Sequence, residues 1–249
     1  FGAVCGIVIA TIISHKIKPT KAMPISHNSM IFAFIGTFFL FLFWPSFNAG
    51  LFPTNSFERQ VIVINTSLSL TASVIGTFVT TSIGRKKFGI EEILNSTLAG
   101  GVIIGASAGL LLNPAGALTI GFIGGVVSSL GYHYLSGFLE ERLGIYDSCG
   151  INNLHGIPGI LGGLFSAIVL AAYGSDPLDA DETANLNFAS NTFQGRTFNA
   201  QAGVQVAGTF ISLGIALVTG LIIGFIIYCL YQYKSGNQYY EDSYDFEVP

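Results

Sequence analysis

"CGINNLHGIPGILGGLFSAIVLAAYG", residues 149–174, is apolar enough to cross a bilayer, yet it carries two asparagines, a histidine, a proline and six glycines. A helix needs about 20 apolar residues to span the hydrocarbon. An ionisable side chain at that depth is costly and faces protein or a water-filled cavity rather than lipid. On a helical wheel Asn152, Gly156, Gly159 and Gly163 share one face, and His155 lies beside it. The histidine is therefore expected to point toward a close helix–helix contact. Pro158 removes a backbone hydrogen bond and is expected to bend the helix, and broken helices flank binding sites in transporters. His155 is either a buried imidazole donating to a backbone carbonyl or a pore or relay group. The rule for intramembrane ionisable groups favours the second.

The rest of the chain has the same character. Of its 249 residues 51% are hydrophobic and 10% charged, against about 25% charged in soluble domains. That balance points to an all-α membrane protein, because lipid leaves no backbone group unpaired. The alternation of a membrane barrel is missing. Seven apolar stretches read as spans: 1–14, 29–52, 60–83, 91–113, 115–137, 148–173 and 203–231. If they alternate, Lys16, Lys18, Lys21, Arg85, Lys86, Lys87, Arg142 and Lys234 fall on one side, and only Arg59 and Arg196 on the other. Positive charge stays cytoplasmic. The first span is thus expected to run inward. Residues 1–232 form the membrane body, and 233–249 a cytoplasmic tail. The loop 174–200 is expected outside as a solvated connector. The chain opens at Phe1 inside an apolar run, which reads as a fragment lacking upstream helices.

Several features invite chemistry and are read more plainly. The three cysteines, Cys5, Cys149 and Cys229, match no disulfide or metal spacing and read as small packers. Glycines at 101, 105 and 109, at 220 and 224, and at 156, 159 and 163 let helices approach closely. His15 and His27 beside the first basic loop, and His133 near the inner end of its span, read as surface or interfacial groups. In "FLFWPSFNAG", 41–50, Trp44 reads as an interfacial anchor. Phe47 reads as another belt residue or as a plug across a pore mouth. Asp147 reads equally as a carboxylate favoured by a helix N-terminus or as a negative vestibule that attracts a cation. The sequons at Asn65 and Asn95 are expected to be unused. No hydrolytic triad, metal cluster, nucleotide loop or basic nucleic-acid patch is visible. The chain is not expected to be an enzyme, and no cofactor is expected.

Together "GINNLHGIPGILGG", "FWPSFNAG", "NSTLAGGV" and "LEERLGIYDSCGINNLHGIPG" resemble the Rhesus-glycoprotein branch of the ammonium transporter (Amt/Rh) family, and "EDSYDFEVP" is similar to that branch's cytoplasmic tail. The resemblance implies a polytopic bundle of eleven or twelve helices, of which this fragment holds about seven. It implies a homotrimer in the plasma membrane whose subunits each pass ammonia or ammonium through a narrow apolar pore. By resemblance His155 is the second of two facing pore histidines, the first standing just before Phe1. Phe47 is one of a pair of gate phenylalanines, and Asp147 an acid of the inner vestibule. Met30 stands where some relatives carry an acid at the inner mouth. A non-conducting membrane scaffold and a carbon dioxide channel are the alternatives.

Overall fold

The computed structural model describes residues 1–16, 27–84, 88–110, 113–147, 149–172 and 197–230. Most of these residues are helical, with α1 (Gly2–Lys16), α2 (His27–Asn48), α3 (Phe57–Gly84), α4 (Ile90–Ser96), α5 (Ala99–Ile103) and α6 (Pro114–Leu130). A π-turn (Gly131–Leu135) joins α6 to α7 (Ser136–Leu143), and a second π-turn (Asn152–Gly156) opens α8 (Ile157–Ala172). The last helix, α9 (Phe198–Leu230), has 33 residues.

Among the described residues, five helical stretches are long and apolar enough to cross a membrane: Asn28–Asn48, Phe57–Ile83, Pro114–Leu143, Asn152–Ala172 and Phe198–Leu230. They match five of the seven expected spans. The first expected span is the shorter α1. The expected span 91–113 is not one helix. It breaks at Thr97 and Leu98 between α4 and α5, and after Ile103 it continues as turns to Leu110. Its i→i+3 bonds include Gly101 N to Leu98 O and Gly105 N to Val102 O, 2.9 and 3.1 Å.

Irregular backbone survives at membrane depth only where protein satisfies it, and the neighbouring helices do so here. Asn48 Nδ2 donates to Gly101 O at 3.1 Å, Asn65 Nδ2 to Ala108 O at 2.8 Å, Ser69 Oγ to Gly100 O at 2.7 Å and Ser73 Oγ to Ser96 O at 2.8 Å. This is why α3 carries buried polar residues, and α2 the partly buried Asn48, on otherwise apolar faces. Asn65 is committed to this contact and 3% exposed, in keeping with an unused sequon.

The most extensive helix contact is α3 on α6, followed by α1 on α9. A Cβ on Gly121 or Gly125 would collide with the Ser69 or Ser73 backbone. The backbones of α3 and α6 therefore meet with nothing between them, as small residues allow in lipid. Of the glycines expected to mediate packing, Gly220 and Gly224 lie on α1, and Gly163 on Thr209 of α9. Gly159 instead faces open space, and its neighbour Gly162 makes the close contact, to the Ile103 backbone.

Candidate functional site: an aromatic line ending at His155

The loop before α8 fixes the site. Asp147 accepts the backbone N–H of Ile151 on Oδ1 at 2.9 Å and that of Asn152 on Oδ2 at 2.8 Å. Those N–H groups open a helix and have no carbonyl partner within it. Both carboxylate oxygens thus cap the helix N-terminus, the first of the two readings of Asp147. The residue also lines a cavity of about 470 Å³ with Val4, Thr11, Leu139, Asn152 and Leu217. Gly150, at φ +67°, lies against the Tyr132 ring and accepts the Tyr132 hydroxyl on its carbonyl at 3.0 Å. Cys149, beside it, is exposed as a residue, but its sulfur is partly screened from solvent, and that partial burial, with Asp147 nearby, pushes the thiol above the ordinary thiol range.

From that cap the chain enters the π-turn that bears His155. Pro158 lacks an N–H, so an α-helix would leave the carbonyl one turn earlier without its donor. The wider turn closes instead through Ile157 N to Asn152 O. Pro158 stands two residues past this turn, near the start of α8, where the helical register has just changed. Asn153, fully buried, holds the turn from behind by donating to Ser136 Oγ at 2.7 Å.

The turn presents His155, half-buried, to α2. There the Trp44 ring lies nearly parallel to the imidazole, with centroids 6.0 Å apart and planes 22° from parallel. Phe47, one turn further along α2, meets Trp44 edge-on at 6.4 Å. Trp44, read from the sequence as an interfacial anchor, also joins the other two side chains. It is partly buried at the centre of the line, and a Cβ on Gly101 would strike its ring at 2.5 Å. Sequence reasoning missed it because a tryptophan near a span's end has the signature of an aromatic belt. The signal that could have found it is Gly101, a glycine facing a large ring. Phe47 is 59% exposed. His155, Trp44 and Phe47 are brought together, whereas Asp147 stands apart from them at the start of the same helix.

At the other end, Met30 lines a cleft of about 310 Å³ with Thr37, Glu91, Asn95 and Leu154. Glu91 lies within electrostatic reach of Asp147. α4 thus brings a carboxylate, Glu91, to the cleft beside Met30, and Glu91 was not singled out in the sequence.

His133 corrects one reading. Its side chain is 3% exposed and paired with the equally buried Glu92, at 2.8 Å from Oε1. A carboxylate from a distant stretch draws the ring inward, and a wheel drawn on one helix cannot reveal such a partner. The side chains of His15 and His27, the loop 174–196 and the tail 231–249 lie outside the described residues. Among the described residues no group of three metal-ligating side chains occurs.

The arrangement is one of rings and amide groups on an apolar wall. The Ammonium Transporter Family matches residues 1–242. Ammonium transporter Rh type C of Rattus norvegicus is 41% identical over all of this chain and 51% of its own length, and that of Homo sapiens 39% over all of this chain and 53% of its own. The chain thus spans about half the length of these relatives. Among solved structures, that described as "Nitrosomonas europaea Rh50 and mechanism of conduction by Rhesus protein family of channels" superposes with a TM-score of 0.77 at 30% identity, covering 99% of this chain and 56% of the other. A "Sensor Amt Protein" shares the fold at a TM-score of 0.68 and 23% identity, over 92% and 53%. The chain belongs to the ammonium transporter family, in its Rhesus branch.

Proposed function

We propose that the protein conducts ammonia or ammonium across a membrane, and that Phe47, Trp44 and His155 form part of the wall of its pathway. The observation that carries this reading is the aromatic line itself, a stacked indole and imidazole behind an exposed phenylalanine in a chain of this family. An ammonium ion loses several kcal/mol or more of hydration on entering a dry passage, about what any buried charge loses. Neutral ammonia loses far less. An apolar wall therefore selects the neutral form or strips the proton at the mouth. His155 offers a neutral ring nitrogen as donor or acceptor to the passing solute, with Trp44 fixing the plane of the ring. Phe47 closes the outer end, and Glu91 and Asp147 make the inner mouth negative, which favours a cation waiting there.

The same reading takes residues 1–232 as the membrane body and 233–249 as a tail on the cytoplasmic side, following the distribution of basic residues. It takes the working unit as a homotrimer in the plasma membrane, by family likeness. The test is stopped-flow measurement of internal pH in proteoliposomes given an inward ammonium gradient. The protein should raise internal pH faster than empty vesicles, and His155→Leu should change that rate with the assembly intact. Transport indistinguishable from empty vesicles by an assembled protein would leave a membrane scaffold instead. Carbon dioxide passage without ammonia passage would replace the substrate.

A further inference from the structure

Glu92 and His133 are ionisable groups that the aromatic line does not use. Their side chains are 2% and 3% exposed, and the imidazole Nε2 stands 2.9 Å from Oε2 and 2.8 Å from Oε1. Thr81 also donates its hydroxyl to Glu92 Oε1. Three segments, α3, α4 and the π-turn at 131–135, thus converge on one carboxylate.

A buried pair of ionisable groups contributes little to stability, since apolar residues of similar volume serve as well or better. Its best-attested use is to fix register. A π-turn inside a helix likewise marks functional positions more often than indifferent ones. Here the pair sets the register of the residues one step before each partner. Glu91 lines the inner cleft and feels the charge of Asp147. Tyr132 donates to the carbonyl of Gly150. The next two residues after Gly150, Ile151 and Asn152, are those whose N–H groups Asp147 caps at the head of the turn bearing His155.

We propose that the Glu92–His133 pair is a clamp that positions the inner mouth. It fixes α4 against the π-turn, sets where Glu91 and Tyr132 stand, and through Tyr132 and Gly150 holds the loop from which the His155 helix starts. Both are positioning residues, acting through Tyr132 and Gly150. The importance of that mouth for flux rests on the conducting reading, whereas the clamp itself does not.

Cys149 sits in the held loop and is exposed, so its rate of alkylation by a maleimide, followed by peptide mass at fixed pH, reports the loop directly. Two variants of the whole protein are compared with the parent. Glu92→Gln keeps an acceptor for His133 and Thr81 and should keep the parent's labelling rate. Glu92→Leu combined with His133→Leu removes the pair but keeps an apolar filling. It should melt near the parent temperature, label Cys149 several-fold faster and lose several-fold in ammonia flux. The parent's labelling rate in a folded double variant would overturn the clamp, whatever the flux. Should the double variant not assemble, Glu92→Ala decides in the same way, faster labelling supporting the clamp and the parent's rate overturning it. If the conducting reading fails instead, flux is absent in the parent too, while the labelling difference persists.

Discussion

The indole of Trp44 and the imidazole of His155 stack at 6.0 Å, joining the end of α2 to the opening of α8. Trp44 is the chain's single tryptophan, so its emission reports on one ring in one place. A protonated imidazole quenches an indole stacked on it by accepting an electron from the excited ring. Emission from the parent should therefore fall as acid charges His155. His155→Leu should show no such titration. An acid transition that persists unchanged in His155→Leu would mean that the two rings do not meet.

Gly121 leaves no room for a side chain, because the Ser69 backbone occupies the position of its Cβ. Backbone cannot swing aside as a side chain can. Gly121→Ala should destabilise the α3–α6 contact by about 1–3 kcal/mol, the usual cost of overpacking. Thermal melting in detergent checks this, with Gly159→Ala, whose Cβ meets open space, as the control expected to melt near the parent.

Asn65 donates to the carbonyl of Ala108, in the turns that follow α5. Asn65→Leu should cost about 1–3 kcal/mol, the range for a buried polar group left unpaired. Loss of protection at the 104–110 turns in hydrogen exchange would place the damage where the bond was. Uniform loss across the chain would contradict that assignment.

Asp147 raises the Cys149 thiol, second to burial, by opposing a nearby negative charge. A raised thiol holds less thiolate at any pH below its own midpoint, and the thiolate is the reactive form. Asp147→Asn removes the opposing charge, so the midpoint should fall and Cys149 should alkylate faster at pH 8. Because the same carboxylate caps Ile151 and Asn152, the variant should also lose about 0.5–2 kcal/mol of stability. Unchanged labelling with lowered melting would leave Asp147 as a cap only.

Much of this was legible because lipid imposes simple rules. Runs of about 20 apolar residues marked the five long helices, and the cost of a charge at depth marked His155. What stayed hidden depended on partners distant in sequence. The 91–113 stretch is as apolar as its neighbours, and nothing local shows that Asn48, Asn65, Ser69 and Ser73 will accommodate a broken backbone there. His133 looked interfacial because its partner Glu92 lies on another helix. Trp44 looked like a belt residue because the groups that bury it, Gly101 and His155, come from α5 and α8. Asp147 was open between two readings, and only the two short contacts to backbone N–H groups favour the cap.

The central claim is that Phe47, Trp44 and His155 border a narrow path open to a small neutral solute. An experimental density map of the protein in its assembled form tests it most directly. The expected map shows a continuous, narrow, apolar passage alongside these three rings, with a ring nitrogen of His155 reaching its surface. A map in which His155 is enclosed on every side by packed side chains, with no passage beside it, would contradict the account.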